Sequence, residues 1–144
     1  MARRRCEQWA RGARCRSLTL GIFRSAMRGD EPRVVSAFRS HLERDGWSVT
    51  TEVAFCDLVA EREGERLYVE AKGRSSDAGT DADILYGQLL RRMPVDEDRS
   101  ARFIVVVPDG MAKAALRVSR RIRGALRIEV FTVDEAGLVN GPHD

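Results

Sequence analysis

The sequence predicts an α/β domain in which a mixed β-sheet is flanked by helices, in the order αβββαβαβ. Three observations lead to this fold class. A helical pattern of apolar residues begins near residue 30 and gives way to three short strand patterns. The run 103–107 is continuously apolar, which is typical of a strand buried on both faces. Helical patterns on both sides of that run can supply the crossovers that parallel strands require.

The first helix is predicted to begin at Asp30-Glu31-Pro32, where an acidic cap precedes a proline in the first turn. Asp45-Gly46 ends this helix. Between these points apolar residues recur at helical spacing, which gives the helix one buried face. That face consists of Val34, Val35, Phe38 and Leu42.

Three strands follow as an antiparallel meander. They are predicted over residues 47–53, 55–61 and 66–72, and a turn rich in Glu, Arg and Gly at 62–65 joins the second to the third. The first strand alternates, so that one side carries Trp47, Val49, Thr51 and Val53.

A second helix is predicted from a cap at Thr80 or Asp81 to about Met93. Pro94 ends the helix, and residues 96–100 form a solvated loop before the apolar strand. The apolar face of this helix is expected to be Ile84, Leu85, Leu89 and Met93.

The turn Pro108-Asp109-Gly110 leads into a helix predicted over residues 111–124. One side of this helix is apolar and the other is basic. A basic helix face can contact nucleic-acid phosphates, and the bland alternative is an ordinary solvated face. The apolar side is Met111, Ala115, Val118 and Ile122, and the candidate nucleic-acid-binding side is Lys113, Arg117, Arg120 and Arg121.

The last predicted strand covers residues 128–133, so we assign the domain to 30–134 and a C-terminal tail to 135–144. The preceding segment, residues 1–29, is strongly basic. Residues 1–30 hold eight arginines against two acidic residues, whereas the remaining 114 residues hold 17 basic and 20 acidic side chains. Two explanations stay open: a basic arm that neutralises nucleic-acid phosphates, or an upstream stretch before a start at Met27.

The composition bears on membrane association and on the cellular compartment of the protein. No apolar run approaches the roughly 18 residues that indicate a membrane helix, so we expect no membrane partner. The three cysteines are odd in number and have no metal-ligand spacing. Without a convincing secretory signal, a reducing cytoplasm is the expected compartment.

Two carboxylates and a lysine stand at the ends of two neighbouring predicted strands. Asp57 lies early in the second strand, and Glu70 and Lys72 lie late in the third. In a hairpin these positions meet at one end of the sheet, where the carboxylates and the carbonyl of Ala71 can bind a hard divalent cation. Lys72 follows Glu70 by two residues and therefore points to the same face. This set predicts a Mg²⁺ or Mn²⁺ site beside a phosphodiester.

Lysine is scarce in this chain, which makes its position beside the carboxylates informative. The sequence has 23 arginines and two lysines, Lys72 and Lys113. A lysine is a compact charge whose pKa moves readily, whereas arginine stays protonated and needs room for its planar fork. If basic residues were interchangeable, a lysine at position 72 would be a chance of 2 in 25.

The chain resembles the PD-(D/E)xK nuclease superfamily in this motif and in the order of its elements over residues 31–107. Asp57 matches the metal-binding aspartate, and Glu70 with Lys72 matches the (D/E)xK pair. Gln88 matches a glutamine on the following helix, as in Holliday-junction resolvases and several bacterial repair nucleases. The resemblance implies a restriction-endonuclease-like fold and Mg²⁺- or Mn²⁺-dependent hydrolysis of DNA.

The chain also departs from that superfamily. Glu31 is the candidate for the glutamate of the first helix, but it lies about a turn early, where Val35 would be expected. Cys56 replaces the proline before the aspartate. Arg92 stands where some subgroups have a tyrosine, four residues after the glutamine.

Plainer explanations exist for each of these residues. The two strand-end carboxylates and the lysine can be solvated surface groups, and Glu31 can be an acid that favours the helix dipole. Gln88 can be a surface residue of its helix. Two other functions therefore compete with a nuclease: an inactive nuclease-fold module that binds nucleic acid or protein, and a structural or protein-interaction domain. A homodimer is compatible with a core of this size.

Overall fold

The computed structural model describes residues 30–53, 56–93 and 100–144. The predicted basic segment 1–29, the end of the second helix at Pro94 and most of the 96–100 loop lie outside these residues. The helices are α1 (Glu31–Arg44), α2 (Ala78–Arg92), α3 (Ala112–Ala115) and α4 (Arg120–Ala125), with a 3₁₀ turn at Asp109–Met111; the strands are β1 (Ser48–Val53), β2 (Cys56–Arg62), β3 (Glu65–Ala71), β4 (Ala101–Pro108), β5 (Ile128–Val133) and β6 (Val139–His143).

The six strands form one mixed sheet in sequence order, β1 to β6. The pairs β1–β2, β2–β3 and β5–β6 are antiparallel, whereas β3–β4 and β4–β5 are parallel. The predicted meander and the helical crossover into a parallel strand are therefore confirmed. The predicted fold class, an α/β restriction-endonuclease-like mixed sheet flanked by helices, is confirmed with them.

A hydrophobic core lies on each face of the sheet. Helix α1 covers one face through Val34, Phe38 and Leu42, and helices α2 and α3 cover the other. The side chains of β4 alternate between the two cores, as the prediction of a doubly buried strand requires. Ile104 and Val106 belong to the α1 side, and Phe103, Val105 and Val107 belong to the α2 side.

Helix α2 begins earlier than the sequence predicts. Asp77 is its N-cap, and the Asp77 carboxylate accepts hydrogen bonds from the backbone N–H groups of Gly79 and Thr80 at 2.9 and 3.2 Å. Asp81 lies inside the helix and accepts from the backbone N–H and the hydroxyl of Ser75. The cap predicted at Thr80 or Asp81 was wrong because several residues of this polar loop can cap a helix.

The apolar face predicted for α2 was partly wrong. Leu85 and Leu89 are buried, and Met93 packs partly buried against the same core. Ile84 is 46% exposed, and Tyr86 takes its expected place in the core, where its hydroxyl donates to the carbonyl of Ala115 at 2.6 Å. The register of the buried face is thus shifted along the helix.

The single helix predicted over 111–124 is two short helices. Leu116 ends α3, and Ser119 caps α4, with the Ser119 hydroxyl accepting from the backbone N–H of Ile122 at 3.4 Å. A serine that bonds the following turn competes with continuation of the preceding helix. Ile122, predicted to be apolar core, is consequently exposed.

Part of the predicted tail is a strand. Residues Val139–His143 form β6 at the edge of the sheet, where they pair with β5. Arg123 of α4 is buried and donates to the carbonyls of Val118 and His143 at 3.0 and 2.9 Å. A buried arginine therefore anchors this C-terminal strand, and the polar sequence of 139–143 gave no strand signal.

The end of β3 lies in close contact with the start of α1. A Cβ atom on Gly73 would be 2.3 Å from the backbone nitrogen of Glu31 and 2.9 Å from its Cα atom. Only a glycine permits this approach of two backbones. Gly73 therefore sets the position of the first turn of α1 relative to the β3 end.

We expect Gly73→Ala to destabilise the fold by about 1–3 kcal/mol, because backbone must move to admit the methyl group. Gly87→Ala is the matched control, since no atom lies within 4 Å of the added Cβ in the middle of α2. That control should stabilise the protein by up to about 1 kcal/mol through helix propensity. Urea unfolding measures both. Equal effects of the two substitutions would contradict the close approach.

Candidate functional site

Asp57 and Glu70 lie at the same end of the sheet. The antiparallel β2–β3 ladder ends at the pair Leu58–Val69, and Asp57 and Glu70 are the residues of β2 and β3 directly beyond it. The Asp57 Oδ2 atom accepts a hydrogen bond of 2.8 Å from the backbone N–H of Ala71. The two strand-end carboxylates of the sequence analysis thus lie at one end of the sheet, Asp57 bonded to the β3 backbone.

Glu70 is a buried carboxylate with a charged partner. It is 1% exposed, in the middle of an otherwise apolar stretch of β3. The guanidinium of Arg92, in the last turn of α2, donates a hydrogen bond to Glu70 Oε1. A buried carboxylate needs such a partner, because an isolated charge in the interior is costly.

Lys72 lies directly after β3 and pairs with the first helix. Its Nζ atom is 3.3 Å from Glu31 Oε2, and the two side chains are 27% and 19% exposed. Its backbone N–H also donates to the carbonyl of Val106 at 3.0 Å, which extends the contact with β4. Glu31, which the sequence places about a turn early, reaches the site because Gly73 lets α1 start against the β3 end.

Gln88 lies on α2, one turn before Arg92, so the two residues share a side of the helix. Its side chain is half-buried. Within residues 30–53, 56–93 and 100–144, the Gln88 side chain makes no hydrogen bond. Its link to the site is that the same side of α2 also carries Arg92.

The environment of Asp57 disfavours its charge. Burial raises the pKa of the Asp57 carboxyl above its ordinary value, whereas the hydrogen bond from the Ala71 backbone lowers it. The nearby Glu31 raises the pKa of Asp57 further, and the charges of Arg92 and Lys72 lower it. Burial is the largest of these effects, so the ionised Asp57 side chain destabilises the metal-free fold.

Asp57 and Glu70 are oxygen donors of the kind that Mg²⁺ and Mn²⁺ accept, and the carbonyl of Ala71 is a third oxygen in the same stretch of chain. One condition limits the fit, because Glu70 is already bound by Arg92. In the part of the chain that the structure describes, no three Asp, Glu, His or Cys side chains are grouped closely enough to hold a metal ion. The donor set fits a hard divalent cation only if Arg92 releases Glu70.

The four basic residues proposed for nucleic acid are exposed, but they do not share one helix face. Lys113 is on α3, Arg117 lies between the short helices, and Arg120 and Arg121 are on α4. Arg120 pairs with Asp144 at 3.3 Å, an exposed contact of small energetic value. The single basic face of the sequence analysis was wrong because the helix is broken at Ser119.

Arg92 is the site residue that sequence reasoning missed. The sequence analysis noted it only as a departure from a tyrosine, four residues after Gln88. That spacing is the available signal, since residues four apart lie on the same side of a helix. A helix face directed at the site can bring an arginine to a buried carboxylate as readily as a tyrosine.

No described helix combines the length and apolar character needed to cross a membrane.

Comparison with known proteins gives the fold and little else. No protein-family profile matches the sequence, and no curated protein matches it. Among solved structures, an XisH family protein from Nostoc punctiforme matches with a TM-score of 0.54 and 22% identity, over 78% of this chain and 99% of the other. An fdxN element excision controlling factor from Anabaena variabilis matches with a TM-score of 0.56 and 20% identity, over 76% of this chain and 97% of the other. At these identities the similarity establishes the shared fold alone.

Asp57→Asn is expected to stabilise the metal-free protein at neutral pH. Because the pKa of Asp57 is raised in the fold, its charge costs stability once the pH rises above the folded value. Below the ordinary value of 3.8 the carboxyl is protonated in both states, so the gain should vanish there. The amide oxygen of asparagine can still accept from Ala71.

Urea unfolding with a chelator present, at neutral pH and at about pH 3.5, measures this difference. Asp83→Asn is the control, because Asp83 is an exposed carboxylate on α2 and its substitution should change stability by less than about 0.5 kcal/mol. An equal loss of stability in Asp57→Asn at both pH values would contradict the account.

Proposed function

We propose that this chain is a metal-dependent nuclease that hydrolyses phosphodiester bonds of DNA. One observation carries the proposal: a buried carboxylate, Glu70, lies at the sheet end that also carries Asp57 and Lys72. A structural role for that combination is hard to find, since a buried acid and a raised-pKa acid both cost stability. The motif match to PD-(D/E)xK nucleases supports the same conclusion.

Each residue has a role in this proposal. Asp57 and Glu70, with the carbonyl of Ala71, would hold Mg²⁺ or Mn²⁺. When bound, such an ion polarises the phosphoryl oxygen and lowers the pKa of water. Lys72 would orient the attacking water or neutralise the charge that develops on the phosphate.

Glu31 and Gln88 would act around this centre. The Glu31 carboxylate holds the Lys72 ammonium at 3.3 Å and so restricts where that charge can lie. Glu31 could also turn to the metal, as the resemblance implies. Gln88 is on the same side of α2 as Arg92 and would support the site from that helix.

The fold neighbours add one name that bears on function. One of them is named for controlling excision of the fdxN element. From this name we propose no more than an association with excision for the present chain. Lys113, Arg117, Arg120 and Arg121 remain candidate phosphate contacts, a homodimer remains a proposal, and a cytoplasmic setting is the one we propose.

A second function is favoured by a specific observation. Arg92 occupies Glu70, and among the described residues no three ligating side chains are grouped closely enough to hold a metal ion. A nuclease-fold module that has lost catalysis and binds nucleic acid or a protein partner would tolerate both features. Such a module need not bind a divalent cation, whereas the nuclease must.

DNA cleavage in the presence of Mg²⁺ or Mn²⁺ is the test of the nuclease. We expect Lys72→Ala to lower the cleavage rate at least about 10²-fold, the usual effect of removing a group that stabilises transition-state charge. Its ion pair with Glu31 is partly exposed, so the loss of stability should stay within about 1 kcal/mol. Duplex, single-stranded and branched DNA, and RNA, serve as substrates.

Arg39→Ala is the matched control, because it removes an exposed cation of the same helix as Glu31, paired with Glu43 at 2.8 Å. This variant should cleave like the unmodified protein. Equal rates for Lys72→Ala and the unmodified protein, or no metal-dependent cleavage of any substrate, would favour the binding module.

A further inference from the structure

Arg92 spans the distance from the solvent to the buried carboxylate of the site. It stands in the last turn of α2, its side chain is 23% exposed, and the Glu70 side chain that it contacts is 2% exposed. Its charge also lowers the pKa of Asp57 and of Cys56. The guanidinium therefore lies among the very groups that the proposed metal site uses.

Arg92 and a metal ion need the same carboxylate. The guanidinium is hydrogen-bonded to Oε1 of Glu70, and Glu70 is one of the two acids that would hold the ion. Two cations against one buried carboxylate repel each other strongly in a medium of low dielectric. Occupation of Glu70 by one cation therefore opposes binding of the other.

A displaced Arg92 still has a use at this site. Its side chain is long and reaches solvent, so a change of rotamer can carry the guanidinium away from Glu70. A guanidinium has five N–H donors in a planar fork that matches the oxygens of a phosphate. The substrate of a nuclease carries such phosphates to the place where Arg92 would be released.

We propose that Arg92 and a divalent cation alternate at Glu70, and that the released Arg92 binds a phosphate of the nucleic-acid substrate. This proposal rests on the proposed nuclease function and adds a phosphate-binding residue to it. In the metal-free protein Arg92 neutralises Glu70 and keeps the fold stable. Metal and nucleic acid then bind cooperatively, since each favours the same released state of Arg92.

Binding of Mn²⁺ to the full chain, measured by calorimetry without nucleic acid, tests the exchange. Arg92→Gln removes the competing cation, so Mn²⁺ should bind about tenfold more tightly or better, which corresponds to about 1.4 kcal/mol. Arg91→Gln is the matched control, because Arg91 is an exposed arginine one position away, and it should leave the affinity within about twofold. The control separates exchange at Glu70 from a general loss of positive charge.

Arg92→Gln also leaves Glu70 buried without its partner, so the metal-free variant should unfold at a lower temperature than the unmodified protein. Mn²⁺ should raise the unfolding temperature of this variant by more than it raises that of the unmodified protein. If this variant does not fold, Arg92→Lys replaces it. Lysine keeps a charge but cannot form the planar fork, so Mn²⁺ should again bind more tightly than in the unmodified protein.

The outcomes distinguish the two levels of the proposal. If neither the unmodified protein nor Arg92→Gln binds Mn²⁺ in a way that Asp57→Asn abolishes, the nuclease proposal itself fails. If Asp57-dependent binding exists but is unchanged or weaker in the Arg92 variants, only the exchange is overturned.

The phosphate contact has its own test. Binding of a DNA oligonucleotide at saturating Mn²⁺ is followed by fluorescence anisotropy against salt concentration, in a Lys72→Ala background that suppresses hydrolysis. Adding Arg92→Gln should reduce the slope of log affinity against log salt by about one, because one phosphate contact is lost. Adding Arg91→Gln should leave the slope unchanged. An unchanged slope with Arg92→Gln would overturn the phosphate contact.

Discussion

The ion pair between Glu70 and Arg92 is the interaction on which the sheet end depends. A carboxylate with 1% exposure survives in a β-strand only if its charge is balanced, and Arg92 supplies that balance from the last turn of α2. The pair joins the sheet to the helix across the core. It also determines which cation Glu70 holds in the metal-free protein.

The remaining groups are arranged around this pair by the topology. The antiparallel β2–β3 ladder ends just before Asp57 and Glu70 and so leaves both at one sheet end, and parallel pairing with β4 extends β3 to Lys72. Gly73 then lets the start of α1 approach, so that Glu31 reaches the Lys72 ammonium. The site therefore holds two acids on the sheet and one on a helix, each with a basic partner or a backbone donor.

Much of this arrangement could be predicted from the sequence. Strand alternation and hairpin spacing are local properties, and they bring Asp57 and Glu70 to one sheet end. The doubly buried strand could also be predicted locally, because a short, continuously apolar segment is typical of a strand covered on both faces. The scarcity of lysine drew attention to Lys72, whose contact with Glu31 follows from a close approach at Gly73 that spacing alone does not reveal.

What could not be predicted depends on competition between alternatives of similar energy. Asp77, Thr80 and Asp81 can all cap a helix, and the fold selected Asp77. Ser119 can lie in a helix or interrupt one, and it interrupts the basic face. In the sequence, Arg92 cannot be told apart from a surface arginine. Only the tertiary structure shows that the buried Glu70 carboxylate lies within its reach.

A crystal structure of the protein grown with Mn²⁺ would show whether the ion binds at this sheet end and displaces Arg92 from Glu70. We expect an anomalous-scattering peak beside Asp57 and Glu70, at about 2.0–2.6 Å from their carboxylate oxygens, with Arg92 turned away from Glu70. A structure at saturating Mn²⁺ in which Arg92 still binds Glu70 and no ion lies between the two carboxylates would contradict it.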